Sequence, residues 1–315
     1  MKPRILVLVD VPGWALDRTA DNVIRRLSHR YRFIKVFNRD AEAALDRANF
    51  DLAYPCYWRQ FQDAGIEQVV PRPAVTGVRS HFKWDGGRGL PPSSTTIETL
   101  RRFDAVNVPS RILYDIFCNR HPAVFYTPHG VDETIFRPGR RVPSAAGSLV
   151  LGWAGSLDNH PGKRGIDDFL LPALEGLSGV ELRLAARESV VRTQAEMVAF
   201  YQGLDAYICT SRTEGGPHPL LEASACGVSL ISTPVGLAPQ LIQDGDNGLL
   251  IERDRTAIRG AVKALRDRRD FRINMGCRAR ATIECEWTWD MQAAAYIDFF
   301  EHGLAQATSE ASRRG

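Results

Sequence analysis

Glu214 and Glu222 stand eight residues apart, and between them runs Gly215-Gly216-Pro217-His218-Pro219. A carboxylate can accept hydrogen bonds from two neighbouring hydroxyls of a hexose. Glu214 follows the apolar run 205–210, read as a strand, and strand ends are where open α/β sheets bind ligands. Gly215 and Gly216 let the backbone come close to a ligand. Pro217 and Pro219 suit the first turn of a helix, whose amides have no intrahelical partner. Those amides and the helix dipole favour a phosphate. Glu222 lies about one turn inside the same helix, placed to take the two hydroxyls of a ribose. The stretch therefore predicts a ligand with sugar hydroxyls at its ends and phosphates between them.

Alternating apolar and amphipathic stretches must position these groups. Residues 4–9 are short, β-branched and apolar throughout, as a buried parallel strand requires. A helix is predicted over 17–29, with Ala20, Val23, Ile24 and Leu27 on one face. Strands follow at 32–37, 51–54, 73–78 and 104–108, with helices at 97–102 and 111–118. Residues 137–148 hold Pro138, Gly139, Pro143 and Gly147 and read as a linker. The alternation then restarts, with strands at 150–154, 180–185, 205–210, 228–232 and 248–251. Helices are predicted at 166–177, 193–203, 218–226, 254–266 and 289–301, and residues 305–315 read as frayed. The fold class is α/β, two Rossmann-like domains facing across a cleft.

Composition agrees with two such domains. The chain has 315 residues, beyond what one core of roughly 250–300 usually organises. Apolar residues make up 44% and charged residues 24%, ordinary for a globular protein, and a net charge of +3 gives no case for nucleic acid. The six cysteines form no CxxC pair, which argues against zinc and for buried thiols in a reducing compartment. No apolar run spans a bilayer, and the run at 5–9 is too short for a signal peptide. The expectation is a cytoplasmic protein. The arginine-rich run from Arg253 to Arg280 reads as a solvated helix face, with contact to anionic lipid on the inner membrane face, or to the acceptor, as the sharper alternative. No GxSxG or GxGxxG motif is present, which argues against a serine hydrolase and a dehydrogenase.

The Glu214–Glu222 segment resembles the EX7E region of retaining, GT-B-fold glycosyltransferases of family 4, the glycosyl transferases group 1 type. The likeness continues through Glu222–Gly227, Ser229–Thr233, Gly236 and Asn247-Gly248-Leu249, and upstream from Tyr201 to Thr210. Pro128-His129-Gly130-Val131-Asp132 and Phe136-Arg137-Pro138 resemble the family's interdomain junction, with His129 where Asn is usual. Trp287–Asp290 resembles the start of the closing helix, which in this fold crosses back to the first domain. The implied domains are 1–140, rejoined by a helix over about 296–315, and 141–295.

The resemblance implies roles. Glu214 would bind the donor sugar and Glu222 the nucleotide ribose. Gly215, Gly216, Pro217, His218 and Pro219 would present backbone to the donor sugar and diphosphate. The family carries an Arg and then a Lys after the first strand of the second domain. Here Ser156 stands near the Arg position, Lys163 or Arg164 matches the Lys, and Arg187 is a candidate substitute for the missing cation. One cation is needed to neutralise a departing diphosphate without a metal. In the first domain, His81 falls near a histidine that touches the donor sugar, and Gly13 lies in the loop that faces the diphosphate. Trp14, Trp84 and Asp85 are candidates for the acceptor side. The implied reaction is metal-independent transfer of a hexose-type sugar, with retention, from a nucleotide diphosphate-sugar to an unidentified hydroxyl. It needs no cofactor beyond that co-substrate, for which a UDP-sugar is the default. The stretch 185–195 is short for the family, so the base stays open, as does the oligomeric state. The rival readings are a sugar-nucleotide epimerase or phosphorylase of similar architecture, and a non-catalytic sugar-nucleotide-binding subunit.

Overall fold

The structure, a computed structural model, describes the chain apart from residues 48, 64, 66–72, 82–83, 85–87, 89, 141, 158–161 and 315. Asp85 thus lies outside the described residues. The chain forms two compact units, one of residues 1–85, 90–129 and 289–315, the other of 86–89 and 130–288.

In the first unit, β1 (Arg4–Val9) pairs in parallel with β2 (Arg32–Phe37) on one side and β3 (Leu52–Pro55) on the other. A second parallel set joins β4 (Val75–Gly77), β5 (Ala105–Val108) and β6 (Val124–Tyr126). A parallel bridge between Ala53 and Ala74 links the two sets edge to edge. Every residue from Ile5 to Val9 is buried. Ile5, Val7 and Val9 face the helix Ala15–Leu27 through Ala20, Val23 and Leu27, whereas Leu6 and Leu8 pack with Leu113, Phe117 and Phe103. A strand covered on both faces must be apolar throughout. The closing helix Ala295–Arg314 belongs to this unit and puts Tyr296, Phe299 and Phe300 against Tyr54 and Val75.

The second unit holds five parallel strands in the order β11-β10-β9-β7-β8: β7 (Leu149–Gly155), β8 (Val180–Ala186), β9 (Ala206–Cys209), β10 (Ser229–Ser232) and β11 (Leu249–Leu250). Chain direction through the sheet reverses between β7 and β9. Such a reversal opens a crevice at the carboxyl ends of the two strands, and that crevice is the usual ligand site of the architecture.

Several predicted elements change. The chain passes between units at 129/130 and 288/289 rather than at 140/141 and 295/296. Residues 130–139 pack within the second unit: the Val131 amide bonds Trp287 O at 2.9 Å, the Phe136 ring meets Tyr201 at 6.1 Å, and Gln202 Nε2 bonds Arg137 O at 2.8 Å. The predicted helix 166–177 opens with a wider turn over Ile166–Leu170 and ends at Leu174. The segment read as frayed continues as helix to Arg314. Unforeseen elements are β6, the helix Ala41–Arg47 and the 18-residue helix Arg269–Glu286.

That last helix and the one before it, Arg255–Asp267, change the reading of the arginine-rich run. Arg259 bonds the carbonyls of Ala173 and Glu175, Arg266 that of Ser178, and Arg280 those of Phe136 and Ala225, all at 2.8 Å. Arg272 is buried, bonds the carbonyls of Ser148 and Leu265, and lies 3.7 Å from the equally buried Asp205. These arginines staple main chain together, while Arg255 and Arg268 in the same run are exposed. No helix among the described residues is long and apolar enough to cross a membrane.

Candidate active site

The site begins with the loop that leaves β9. Thr210, Ser211, Thr213, Glu214 and Gly215 are all buried, which is unusual for so polar a segment. Hydrogen bonds to neighbouring loops explain how it stays in place. From the β10 side, Thr233 sends its amide to Cys209 O at 3.0 Å and its hydroxyl to Ser211 O at 2.7 Å. From the β7 side, Thr210 Oγ1 donates to Arg164 O at 2.7 Å, and the Arg212 amide donates to Lys163 O at 2.8 Å.

This lacing brings one of the predicted cations, Arg164, to the predicted carboxylate. The Arg164 guanidinium forms an ion pair with Glu214 Oε1 and reaches Ser211 Oγ at 3.5 Å. Burial works against the Arg164 charge, but the Glu214 carboxylate outweighs it and holds the guanidinium above its ordinary pKa. Lys163, on the same loop, is only 6% exposed. A lysine so deep in a protein is rare unless its charge is matched. The Cys209 thiol beneath the loop is pushed up by burial and by Glu214.

After Glu214 the chain turns through Gly215 and Gly216 into the helix His218–Ala225, with Pro217 as N-cap and Pro219 in the first turn. Pro217 offers no side-chain cap to the first amides. The turn needs a close neighbour without a side chain: a Cβ on Gly236, whose φ is +55°, would come within 2.7 Å of Gly215 O. Glu222 faces inward from this helix, 6% exposed, and accepts a 2.7 Å hydrogen bond from Tyr201 Oη. Tyr201 had been noted only as part of a sequence likeness, and its hold on Glu222 has no signature in spacing.

The other predicted residues fall into distinct places. Ser156, at the end of β7, donates its hydroxyl to Glu188, whose second oxygen accepts from the Leu157 amide at 2.9 Å. A carboxylate thus braces Ser156, which stands near where the resemblance puts an arginine. Arg187 directly follows β8, its amide bonded to Gly155 O at 3.0 Å. His81 and Gly13 belong to the first unit. His81 is buried with its ring 5.1 Å from that of Trp84, and Trp84 in turn sends its indole N–H to Leu90 O and packs against Phe117. Gly13 sits at φ +76°, and its amide donates to Asp17 Oδ2 at 2.8 Å, so a tight turn closed by a carboxylate is what stands there. Trp14 precedes the first helix and is 36% exposed. Among the described residues, no group of three His, Cys, Asp or Glu side chains is arranged to hold a metal ion.

The fold and the lacing at the β7–β9 reversal define a two-unit α/β protein of the GT-B class. Residues 183–282 match the family model of glycosyl transferases group 1. It is 32% identical over 112 residues to a GDP-mannose-dependent alpha-(1-6)-phosphatidylinositol monomannoside mannosyltransferase of Mycobacterium tuberculosis, covering 33% of this chain and 29% of that one. The chain thus spans less than a third of that curated relative's length. Among solved structures it resembles sucrose-phosphate synthase from Thermosynechococcus elongatus (TM-score 0.78, 13% identity, 97% of this chain and 100% of that one). It also resembles the Anabaena HepE protein in complex with UDP and glucose (TM-score 0.70, 14% identity, 95% and 99%).

Proposed function

We propose that the protein is a retaining glycosyltransferase that moves a hexose-type sugar from a nucleoside diphosphate-sugar to a hydroxyl acceptor without a catalytic metal. The observation that carries this reading is the meeting of Glu214 with the Lys163–Arg164 loop at the strand-order reversal. There a cationic loop, a buried carboxylate and the start of the helix His218–Ala225 converge.

Each part has work in such a reaction. Departure of the sugar builds negative charge on the diphosphate. Lys163, Arg164 and the helix-start amides oppose that charge where it develops, and preorganised groups of this kind are a large source of rate acceleration. Glu214 orients the sugar through its hydroxyls, and Arg164 fixes the carboxylate beforehand. Glu222, held by Tyr201, takes the ribose. The departing phosphate accepts the acceptor's proton, so no side-chain nucleophile is required. The names of two similar proteins support a nucleotide-sugar donor, one dependent on GDP-mannose and one crystallised with UDP and glucose, and they leave the choice of base open.

The test is a thermal-shift screen against UDP-, GDP- and ADP-sugars. A ligand that binds only the native state raises the melting temperature in proportion to the logarithm of its concentration over its dissociation constant. Turnover of the hit is then measured for wild type and Glu214→Gln. The variant should keep its melting temperature and lose about a hundredfold or more in kcat. Near-normal turnover in Glu214→Gln would refute the assignment. Proton NMR of the product reads retention, and unchanged rates in chelator read metal independence.

A further inference from the structure

Arg253 follows β11, outside both loops of the site, and in sequence it reads only as the first residue of the arginine-rich run. Its guanidinium nevertheless reaches both loops at once. Nε donates to Thr210 O at 2.9 Å, and Nη2 donates to Gly162 O at 2.6 Å and to Lys163 O at 3.2 Å. The Phe169 ring lies 4.4 Å from the guanidinium carbon and supports its plane. The place is built for close approach. A Cβ on Gly165, whose φ is +71°, would come within 2.7 Å of Thr210 O and 2.9 Å of Arg253 Nη2.

We infer that Arg253 is the positioning residue that sets the Lys163–Arg164 loop against the Glu214 loop. This inference rests on the reading of those loops as the donor site. The physical reason is directional. A guanidinium is a rigid planar fork of donors, so carbonyls bonded to its two edges are held at a fixed spacing. Gly162 and Lys163 lie on the chain that carries the cations, and Thr210 lies on the chain that carries Glu214. A lysine offers a point charge on a flexible stem and cannot hold both chains at one separation. Arg253 touches none of the reacting groups and acts through Lys163, Arg164 and Glu214.

The experiment compares Arg253→Met and Arg253→Lys with Arg259→Met. Arg259 also staples carbonyls, those of Ala173 and Glu175, and so reports what losing a purely structural staple does. In the ligand-free protein, hydrogen exchange of residues 162–166 and 210–214 is followed by mass spectrometry. Arg253→Met should deprotect both stretches together, including the Arg212 amide that bonds Lys163 O, while Arg259→Met leaves them unchanged. With a donor, kcat of Arg253→Met should fall about ten- to a hundredfold, the scale expected of a displacement near 1 Å. Donor KM should change by less than about threefold, because the groups that bind the donor remain. Arg253→Lys should recover stability but not kcat. In an Arg164→Met background, adding Arg253→Met should cost little more, because coupled residues are not additive.

Exchange unchanged in Arg253→Met, or kcat effects that simply multiply with those of Arg164→Met, would overturn the inference. If the wild type turns over no nucleotide-sugar, the donor-site reading fails, and the exchange result still decides whether Arg253 couples the loops.

Discussion

At the scale of single residues, Glu222 shows how the site depends on a partner outside it. Its carboxylate is buried, and Tyr201 Oη supplies a hydrogen bond to it. Hydrogen bonds to charged groups contribute about 1.5–3 kcal/mol. Tyr201→Phe should therefore lower stability by about that amount in urea unfolding and raise donor KM more than it lowers kcat. A fall confined to kcat would place Glu222 in the chemistry rather than on the ribose. Thiol accessibility gives a second check. Burial pushes the Cys56 and Cys226 thiols up to about 12, and both are buried with Cys209, whereas Cys277 and Cys285 are exposed. Iodoacetamide at neutral pH should label Cys277 and Cys285, label the half-buried Cys118 more slowly, and spare Cys56, Cys209 and Cys226, as peptide mapping would show. The carboxylate pair stands out in sequence by residue type and spacing, and the cation beside Glu214 is reached only through the family resemblance. The contacts of Tyr201 and Arg253 are not legible, because a contact between residues far apart in sequence leaves no periodic trace.

At the scale of elements, strands were easier to read than helices. The first strand of each unit, β1 and β7, is buried on two faces and so reads as an almost unbroken apolar run. The helix Arg269–Glu286 was missed for the opposite reason. It buries Arg272 together with Met275, Gly276, Ala279 and Ile283, so its inner face is not a clean apolar stripe. Its arginines look like solvent-facing charge until their carbonyl partners are known. β6 is only three residues long and partly exposed, too short for any alternation to register. The helix also packs unusually close to the strand beside it: a Cβ on Gly276 would lie 2.2 Å from Gly227 O. Gly276→Ala should therefore push the helix off its seat and cost about 1–3 kcal/mol or more, measured as a fall in the urea midpoint. An unchanged midpoint would mean that the helix shifts freely.

At the scale of the whole molecule, one histidine gives the first unit a dependence on pH. His121 is buried, its Nδ1 accepts from the Ala123 amide at 3.1 Å, and its Nε2 lies 3.2 Å from Phe103 O. That pattern suits a neutral ring protonated on Nε2, and burial lowers its pKa from the ordinary 6.5. Below that value the unfolded chain takes up a proton that the folded chain refuses. The stability from neutral His121 is then complete above about pH 6.5 and is lost as pH falls through the depressed folded value. His121→Gln should flatten the fall in urea midpoint between about pH 7 and pH 5, and an identical slope in both proteins would exclude this source. The closing helix Ala295–Arg314 has a separate consequence. Phe299 and Phe300, which fill the core beneath β1 and β3, are translated only after every residue of the second unit. On the ribosome, the half that emerges first therefore waits with an unfinished interior while the later half can close on itself, and premature termination near residue 290 would leave the earlier half exposed to chaperones and proteases.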